Sequence, residues 1–430
     1  MSSKPPHRKK RPTEFKKSFG RGDPTSLQTG QAAGREALRN DLDWDRDSAH
    51  LEQAFAWLCH ARREASPHHG VWRLRDKWDH VKAQLTEELA NRTFRFSSVK
   101  LTRTATGDLM ECWEAQDSLF LKALTLHLQP TLSRKLSPSC YHLQGRGGVK
   151  GAIQQIRDWI TCDPPHFVAR SDAKGYYANI GHSSLFRVLG DLGVDPPLIT
   201  LISHYCRRLV TRDGYYAEQK KSISMGCPLS PLMAAVYLSP LDEAMAKLPG
   251  IRYLRYMDDW VIFAESRWKL RRAIRVMNQV LSSLGLEQHP NKTSIGRLER
   301  GFDFLGVQFT ATGEMSPSAV SHARHTEKTA RLYEQGASLE RIERYRQNWL
   351  RYLRGILGKE HPATKMNAGH TPHPSQMHAS VLSSHHPSHR DRFSISGAKN
   401  KNRNDDYEKT KQIRKLPRRD RWGRMCRECS

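Results

Sequence analysis

The stretch Tyr253-Leu254-Arg255-Tyr256-Met257-Asp258-Asp259-Trp260-Val261-Ile262-Phe263 sets two adjacent carboxylates between two short runs of aromatic and β-branched residues. That arrangement predicts a β-hairpin whose turn carries the acids. Carboxylates at a hairpin tip cost little to solvate and are available to a metal. Asp is also a common turn residue, so the pair alone reads as a plain turn. What surrounds it decides between the two.

Upstream, His166 to Ser171 reads as a short strand that ends at Asp172 and is followed by Lys174-Gly175-Tyr176-Tyr177-Ala178-Asn179-Ile180 and a helix over 182–192. An Asp at the carboxyl end of a strand suits a catalytic acid and a helix cap alike, and both readings stay open at this point. A turn of small residues and proline, Ser222 to Pro231, then leads into an apolar helix over 232–247. Asp172 and Asp258 are 86 residues apart (258 minus 172), each at a strand end. If the two strands are sheet neighbours, three carboxylates converge at one edge. Such a cluster suits two divalent cations about 4 Å apart, activating a hydroxyl and stabilising the leaving oxygen of an in-line phosphoryl displacement. Like charges this close need the cations in order to coexist.

Downstream, Trp268, Leu270, Ile274, Met277, Leu281 and Leu284 recur at helical spacing and are expected to pack on a sheet, with Arg267, Lys269, Arg271, Arg272 and Arg275 filling the other faces. Gly285 closes that helix. Asn291-Lys292-Thr293 and a single strand over 302–309 follow, and then helices over 318–357. In these, Trp349, Tyr352 and Leu353 form a docking face, while Arg344, Arg346, Arg351 and Arg354 can reach a duplex backbone. Before Asp172 the pattern predicts helices over 51–64, 72–90 and 115–128, and a hairpin of strands 95–103 and 109–114 turning at Thr106-Gly107-Asp108. The glycine-rich loop 141–150 could approach phosphates, with Arg146 and Lys150 adding charge.

Lys and Arg total 70 against 44 Asp and Glu, a formal charge of +26. Such an excess predicts a polyanionic partner, nucleic acid first, because each neutralised phosphate releases counterions. No run of about 18 apolar residues is present to span a bilayer, and residues 1–21 lack the apolar core of a secretory signal. A cytoplasmic protein with no membrane partner is expected. The eight cysteines are scattered and read as reduced thiols; the Cys426/Cys429 pair has no second pair to complete a zinc site. Residues 1–45, a basic arm, and 359–430, a His-rich and then basic tail, show no apolar face and are expected to be disordered.

The ordered set of motifs resembles the reverse transcriptases. Tyr256-Met257-Asp258-Asp259 matches their catalytic box; Asp172 to Ile180 resembles the first acidic motif; and Gly226-Cys227-Pro228-Leu229-Ser230-Pro231-Leu232 resembles the template and nucleotide motif. Leu286 through Asn291-Lys292-Thr293 resembles the lysine motif, and Phe304-Leu305-Gly306 the primer-grip strand. The resemblance covers about 100–357 and is strongest to bacterial group II intron-type enzymes and their intron-free relatives. It implies an α+β right-hand polymerase with fingers at 46–165, an antiparallel-sheet palm at 166–310 and a helical thumb at 311–358, flanked by disordered basic tails. It implies an RNA-directed DNA polymerase, a nucleotidyltransferase, using two Mg2+ ions, with Mn2+ as a substitute, an RNA template, a DNA or RNA primer and deoxynucleoside triphosphates. Asp172 and Asp258 are then the principal metal ligands, helped by the carbonyl of Ala173 and supported by Asp259. Tyr177 becomes the ring that rejects a 2'-hydroxyl, and Lys292 the proton donor to pyrophosphate. Met225 and Gly226 line the nucleotide site, with Arg146 and Lys150 near phosphates. Alternatives are an RNA-binding maturase that retains the polymerase fold and an RNA-dependent RNA polymerase. The sequence departs from the pattern in Met225, where the family usually has Gln and so a hydrogen-bond donor, and in Tyr177-Ala178, where many relatives have Phe-Asp. The tail also lacks the paired cysteines and histidines of an HNH nuclease. Oligomeric state is not legible.

Overall fold

The structure, a computed structural model, describes residues 44–103, 109–212, 215–358 and 361–364. The basic arm before residue 44, the Thr106-Gly107-Asp108 turn and the tail with its Cys426/Cys429 pair lie outside the described residues. The chain divides into residues 1–46 and 47–430, and the fold below is that of the second unit.

Helices α1 (Trp44–Ala61), α2 (Gly70–Asp76) and α3 (Trp78–Ala90) precede strands β1 (Val99–Arg103) and β2 (Leu109–Cys112). The helix expected over 72–90 is broken at Lys77, which caps one helix and opens the next at φ −110°. Helix α4 (Ala115–Lys135) runs past its expected end at Leu128 and contains Pro130. Leu119, Phe120, Leu121, Ala123 and Leu124 within it are all fully buried, so its first half is enclosed, while Pro130, Thr131, Arg134 and Lys135 near its end are exposed. The glycine-rich loop ends earlier than expected: Gly147, at φ +85°, caps α5 (Gly148–Cys162), which buries Ala152, Ile153, Ile156 and Ile160 at helical spacing.

Strand β3 (Phe167–Asp172) leads through the short α6 (Tyr176–Asn179) to α7 (His182–Asp191), α8 (Pro196–Cys206), β4 (Leu209–Arg212) and β5 (Tyr215–Glu218). Strand β4 pairs in parallel with β1, Val99 opposite Val210, so the sheet ordered β2-β1-β4-β5 draws strands from both sides of residue 165. The single helix expected over 232–247 is two, α9 (Ser230–Tyr237) and α10 (Ser239–Ala246). Pro240 has no N–H to continue the ladder, and the Ser239 hydroxyl donates to the Val236 carbonyl instead, at 2.9 Å.

Strands β6 (Ile251–Tyr256) and β7 (Asp259–Ala264), helix α11 (Arg267–Ser283) and strand β8 (Ser294–Arg297) complete the central antiparallel sheet, ordered β6-β7-β3-β8. Every residue of β7 is buried, as a central strand covered on both faces requires. Val168, Leu254, Val261 and Phe263 face a core shared with α5 and with the third sheet, β9 (Phe302–Phe304), β10 (Val307–Phe309) and β11 (Met315–Pro317). The other face is covered by α10 and α11. The strand expected over 302–309 is in fact a hairpin, because Leu305 (φ +49°) and Gly306 (φ +83°) form a two-residue turn with both dihedrals positive.

Helices α12 (Ala319–Glu334) and α13 (Leu339–Leu357) follow, each capped by a serine hydroxyl, of Ser318 and Ser338, accepting from the backbone three residues on. Their expected docking face is present: Leu353 is fully buried and the Tyr352 hydroxyl donates to the Leu305 carbonyl at 2.7 Å. Trp268, expected to pack on the sheet, is instead 76% exposed. The buried stripe of α11 is Leu270, Ala273, Met277 and Leu281, and Trp268 lies about 200° around the helix from Leu270. Among the described residues no helix is long and apolar enough to cross a membrane.

Candidate active site

Backbone register brings the acids together. Strands β3 and β7 are direct neighbours and pair Asp172 with Asp259, while β6 and β7 pair Tyr256 with Asp259. Met257 and Asp258 are left as the two-residue turn. Ala173 N–H donates to the Asp258 carbonyl at 3.1 Å, tying the end of β3 to that turn. Of the two readings open at Asp172, the helix cap does not hold, because Gly175 occupies the cap position of α6. Asp172 is fully buried and Asp259 is 8% exposed.

Lys292 sits in a short 3-10 turn, and its ammonium forms an ion pair with Asp172 Oδ2. The other oxygen, Asp172 Oδ1, is buried with no hydrogen-bond partner among the described residues. Ala173 bridges Gln288, and His289 N–H donates to the Asp172 carbonyl at 2.9 Å, which fixes the lysine segment against the acid.

The turn is clamped from below by residues that the motifs do not single out. Met257 has φ +58°, a region costly for a residue with a Cβ, and two groups hold it there. Arg255, fully buried, donates from Nη1 to the Met257 carbonyl at 3.0 Å. It also donates to the buried carboxylate of Asp242 on α10, Nε to Oδ1 at 2.8 Å and Nη2 to Oδ2 at 2.5 Å, and from Nη2 to the Ala235 carbonyl at 3.2 Å. Tyr253 also donates to Asp242 Oδ1, at 2.8 Å. From the other side, Met257 N–H donates to His142 Nδ1 at 3.1 Å, and His142 Nε2 lies 3.1 Å from the Pro231 carbonyl. Because that carbonyl only accepts, Nε2 carries the proton, and one neutral tautomer satisfies both bonds. Burial, aided by the charge of Arg255, pushes the His142 imidazole down to about 3, so it is neutral at physiological pH. Arg255 did leave a signal in the sequence. A cation at an inward position of an apolar strand needs a buried partner, but spacing does not say that Asp242 is that partner.

The nucleotide-motif loop is anchored through Ser224. Trp113 Nε1 donates to Ser224 Oγ at 2.7 Å, and Ser224 N–H donates to the Tyr205 hydroxyl at 3.1 Å. Met225 is thereby left 37% exposed, beside Gly226 at φ +88°. Tyr177 borders this loop, its carbonyl accepting from Ile223 N–H at 3.0 Å. Its ring, 7% exposed, meets Tyr176 edge-on at 5.8 Å, and burial holds the phenol pKa well above 10. Arg146 and Lys150 part company: the Arg146 guanidinium donates to the carbonyls of Ser133 and Leu136 at the end of α4, whereas Lys150 is exposed on α5.

Among the described residues no three His, Cys, Asp or Glu side chains form a closed metal cage. The site does suit a hard cation of the Mg2+ type, which binds through one or two carboxylates and takes its other ligands from water and substrate phosphates. The acceptor-only donor set and the orphaned Asp172 Oδ1 fit that description, and Lys292 already holds a positive charge against the same carboxylate.

Residues 122–309 match the family described as "Reverse transcriptase (RNA-dependent DNA polymerase)". The retron Ec86 reverse transcriptase of Escherichia coli is similar at 24% identity over 257 residues, covering 57% of this chain and 72% of that protein. Among solved structures, telomerase from Candida tropicalis, truncated from its C-terminal domain, is similar at 13% identity and a TM-score of 0.43, over 56% of this chain and 60% of that one. Telomerase from Candida albicans is similar at 12% identity and a TM-score of 0.45, over 67% and 58%. This chain thus spans about three-fifths of the length of each telomerase chain. The matched segment contains both acidic strands, the turn between them and the lysine segment, so residues 122–309 carry a domain that matches the reverse transcriptases, RNA-dependent DNA polymerases.

Proposed function

We propose that Asp172, Asp258 and Asp259 form the nucleotidyl-transfer centre, with residues 46–165 acting as fingers, 166–310 as palm and 311–358 as thumb. The observation that carries this reading is the pairing of Asp172 with Asp259 beside a turn whose Asp258 carbonyl accepts from Ala173. Divalent Mg2+, or Mn2+ in its place, would be held by Asp172, Asp258 and the Ala173 carbonyl, with Asp259 in support, and would supply Lewis acidity to the primer hydroxyl and to the leaving pyrophosphate. The chain's own residues do the rest. Arg255 and His142 fix the turn so that the carboxylates need not reorganise during the reaction. Lys292, held against Asp172, is placed to neutralise the triphosphate and to give its proton to the departing pyrophosphate. Ser224 holds Gly226 where no side chain hinders the nascent base pair, and Met225 contributes an apolar contact in place of a hydrogen bond. The buried Tyr177 ring forms the floor under the sugar and rejects a 2'-hydroxyl by steric clash. Arg146, occupied with α4, contributes by shaping the loop, while Lys150 remains available to a phosphate.

Primer extension on an RNA template tests this. Asp258→Ala is expected to lower the rate by about a thousandfold, the equivalent of several kcal/mol of transition-state stabilisation; equal rates for variant and wild type refute it. Tyr177→Ala is expected to raise ribonucleotide incorporation relative to deoxynucleotide by about tenfold or more, and an unchanged ratio removes the ring from sugar selection. Should wild type itself prefer ribonucleotides, the RNA-dependent RNA polymerase reading replaces this one. A maturase role predicts that deleting 311–358 abolishes splicing and leaves polymerisation intact. The motifs also favour a group II intron-type lineage, which sequencing of RNA bound to the purified protein would test against a retron-type RNA.

A further inference from the structure

Helix α11 presents a face that neither the acids nor the fold uses. In its 17 residues it has five basic side chains and no acid. Arg267, Trp268, Arg271, Arg272 and Arg275 are all exposed. At about 100° per residue these five fall within an arc of about 140°, along about 12 Å of helix. Asn278, Gln279 and Ser282 continue the same arc as hydrogen-bonding groups. The four arginines enter no ion pair among the described residues, while Lys269 pairs with Glu265. Other nearby acids are engaged: Asp242 is buried against Arg255, and Glu287 lies 4.0 Å from Lys174. Trp268, 76% exposed, carries the Arg271 guanidinium over its ring at 5.5 Å.

The position matters as much as the charge. Asp172 and Asp259 share a sheet face with Val168, Val261 and Phe263, by alternation along paired strands. Helix α11 packs beside α10, which meets the opposite face through Arg255 and Asp242. The basic surface therefore lies behind the sheet, away from any primer terminus at the acids.

We propose that this face of α11 is a second RNA-binding surface, taking a stem-loop whose phosphates meet the arginines and whose unpaired loop base stacks on Trp268. An uncompensated arginine stripe recognises a phosphate backbone, and an exposed indole beside it suits an unstacked base, which RNA loops offer and paired duplex does not. The surface tethers a structured part of the RNA while another part is copied.

The test uses the full chain with its cleft saturated by unlabelled primer–template duplex, and measures binding of a labelled RNA hairpin as a function of salt. Arg271→Gln/Arg272→Gln/Arg275→Gln is expected to weaken binding at least tenfold at about 0.1 M salt, and to lower the log–log salt slope by about 0.9 for each phosphate that an arginine no longer neutralises. Trp268→Ala is expected to weaken binding of the hairpin by about tenfold, and binding of a blunt duplex by much less. The corresponding triple lysine variant should restore the slope, and extension of an unstructured oligonucleotide template should be unaffected in every variant, which shows that they fold. Unchanged hairpin affinity and slope in the glutamine variant overturn the proposal. So does loss of binding to anionic phospholipid vesicles with hairpin binding intact, which would assign the face to a lipid surface.

Discussion

Asp242→Ala followed by a compensating double variant separates what the Arg255–Asp242 pair does for stability from what it does for the acids. Both side chains are fully buried, joined by two hydrogen bonds of 2.8 and 2.5 Å. Removing the carboxylate strands a guanidinium in the core, which costs about 3–5 kcal/mol when a buried pair is broken from one side. Replacing both members with apolar residues of similar size, Arg255→Met with Asp242→Leu, removes both charges together and is expected to return most of that loss, since buried pairs and apolar substitutes are often close in free energy. The double variant still lacks the Nη1 bond to the Met257 carbonyl, which is one of the two bonds holding that residue at φ +58°. A charged donor to a carbonyl contributes about 1.5–3 kcal/mol; if its loss falls on the geometry of the acids, turnover drops by about one to two orders of magnitude. Urea denaturation gives the stabilities, and single-nucleotide primer extension at saturating substrate gives the rates. The reasoning fails if the double variant recovers wild-type turnover along with stability, because the pair would then be a packing element without influence on the turn. It also fails if Asp242→Ala costs under about 1 kcal/mol.

Further outcomes follow from the same neighbourhood. His142→Leu leaves Met257 N–H without its acceptor, a loss of about 1–3 kcal/mol at neutral pH. Because the folded pKa of His142 is lowered to about 3, the stability tied to its neutral form is complete above pH 6.5 and is lost as pH falls towards 3, by about 1.4 kcal/mol per unit. The destabilisation by His142→Leu should therefore shrink between pH 7 and 5, in paired urea titrations. Asp117, raised to about 6 by burial, runs the other way, losing its contribution as pH rises from 3.8 through 6, and its effect cancels in the comparison. Lys292→Met removes the cation paired with Asp172, so the variant should gain more in Tm from added Mg2+ than wild type does, while extending primers more slowly. An equal Mg2+ response in the two proteins would show that the ammonium and the metal do not compete for that carboxylate.

Much of the candidate site was legible because it is local. Asp258-Asp259 between two β-rich runs announces a hairpin, and Asp172 ends a strand whose apolar residues require burial. The structure departs from the local pattern where one residue overrides it. Pro240 split a helix whose apolar positions continued through it, and Leu305-Gly306 turned a strand back on itself although its aromatics alternated without interruption. Trp268 is large and apolar and so reads as a packing position, but the angle of the buried stripe excludes it.

The sequence by itself determined the order of the motifs, the carboxylates at two strand ends and the net positive charge, since each depends on residue type and on position along the chain. Only the tertiary structure decided that β3 lies next to β7 with Asp172 opposite Asp259. It also decided that Lys292 meets Asp172 across 120 residues of chain, and that His142, 115 residues from Met257, completes the turn. The physical reason is that periodicity reports which face of an element is buried but not what buries it. A buried charge or an orphan N–H states that a partner must exist, and chain topology chooses the partner.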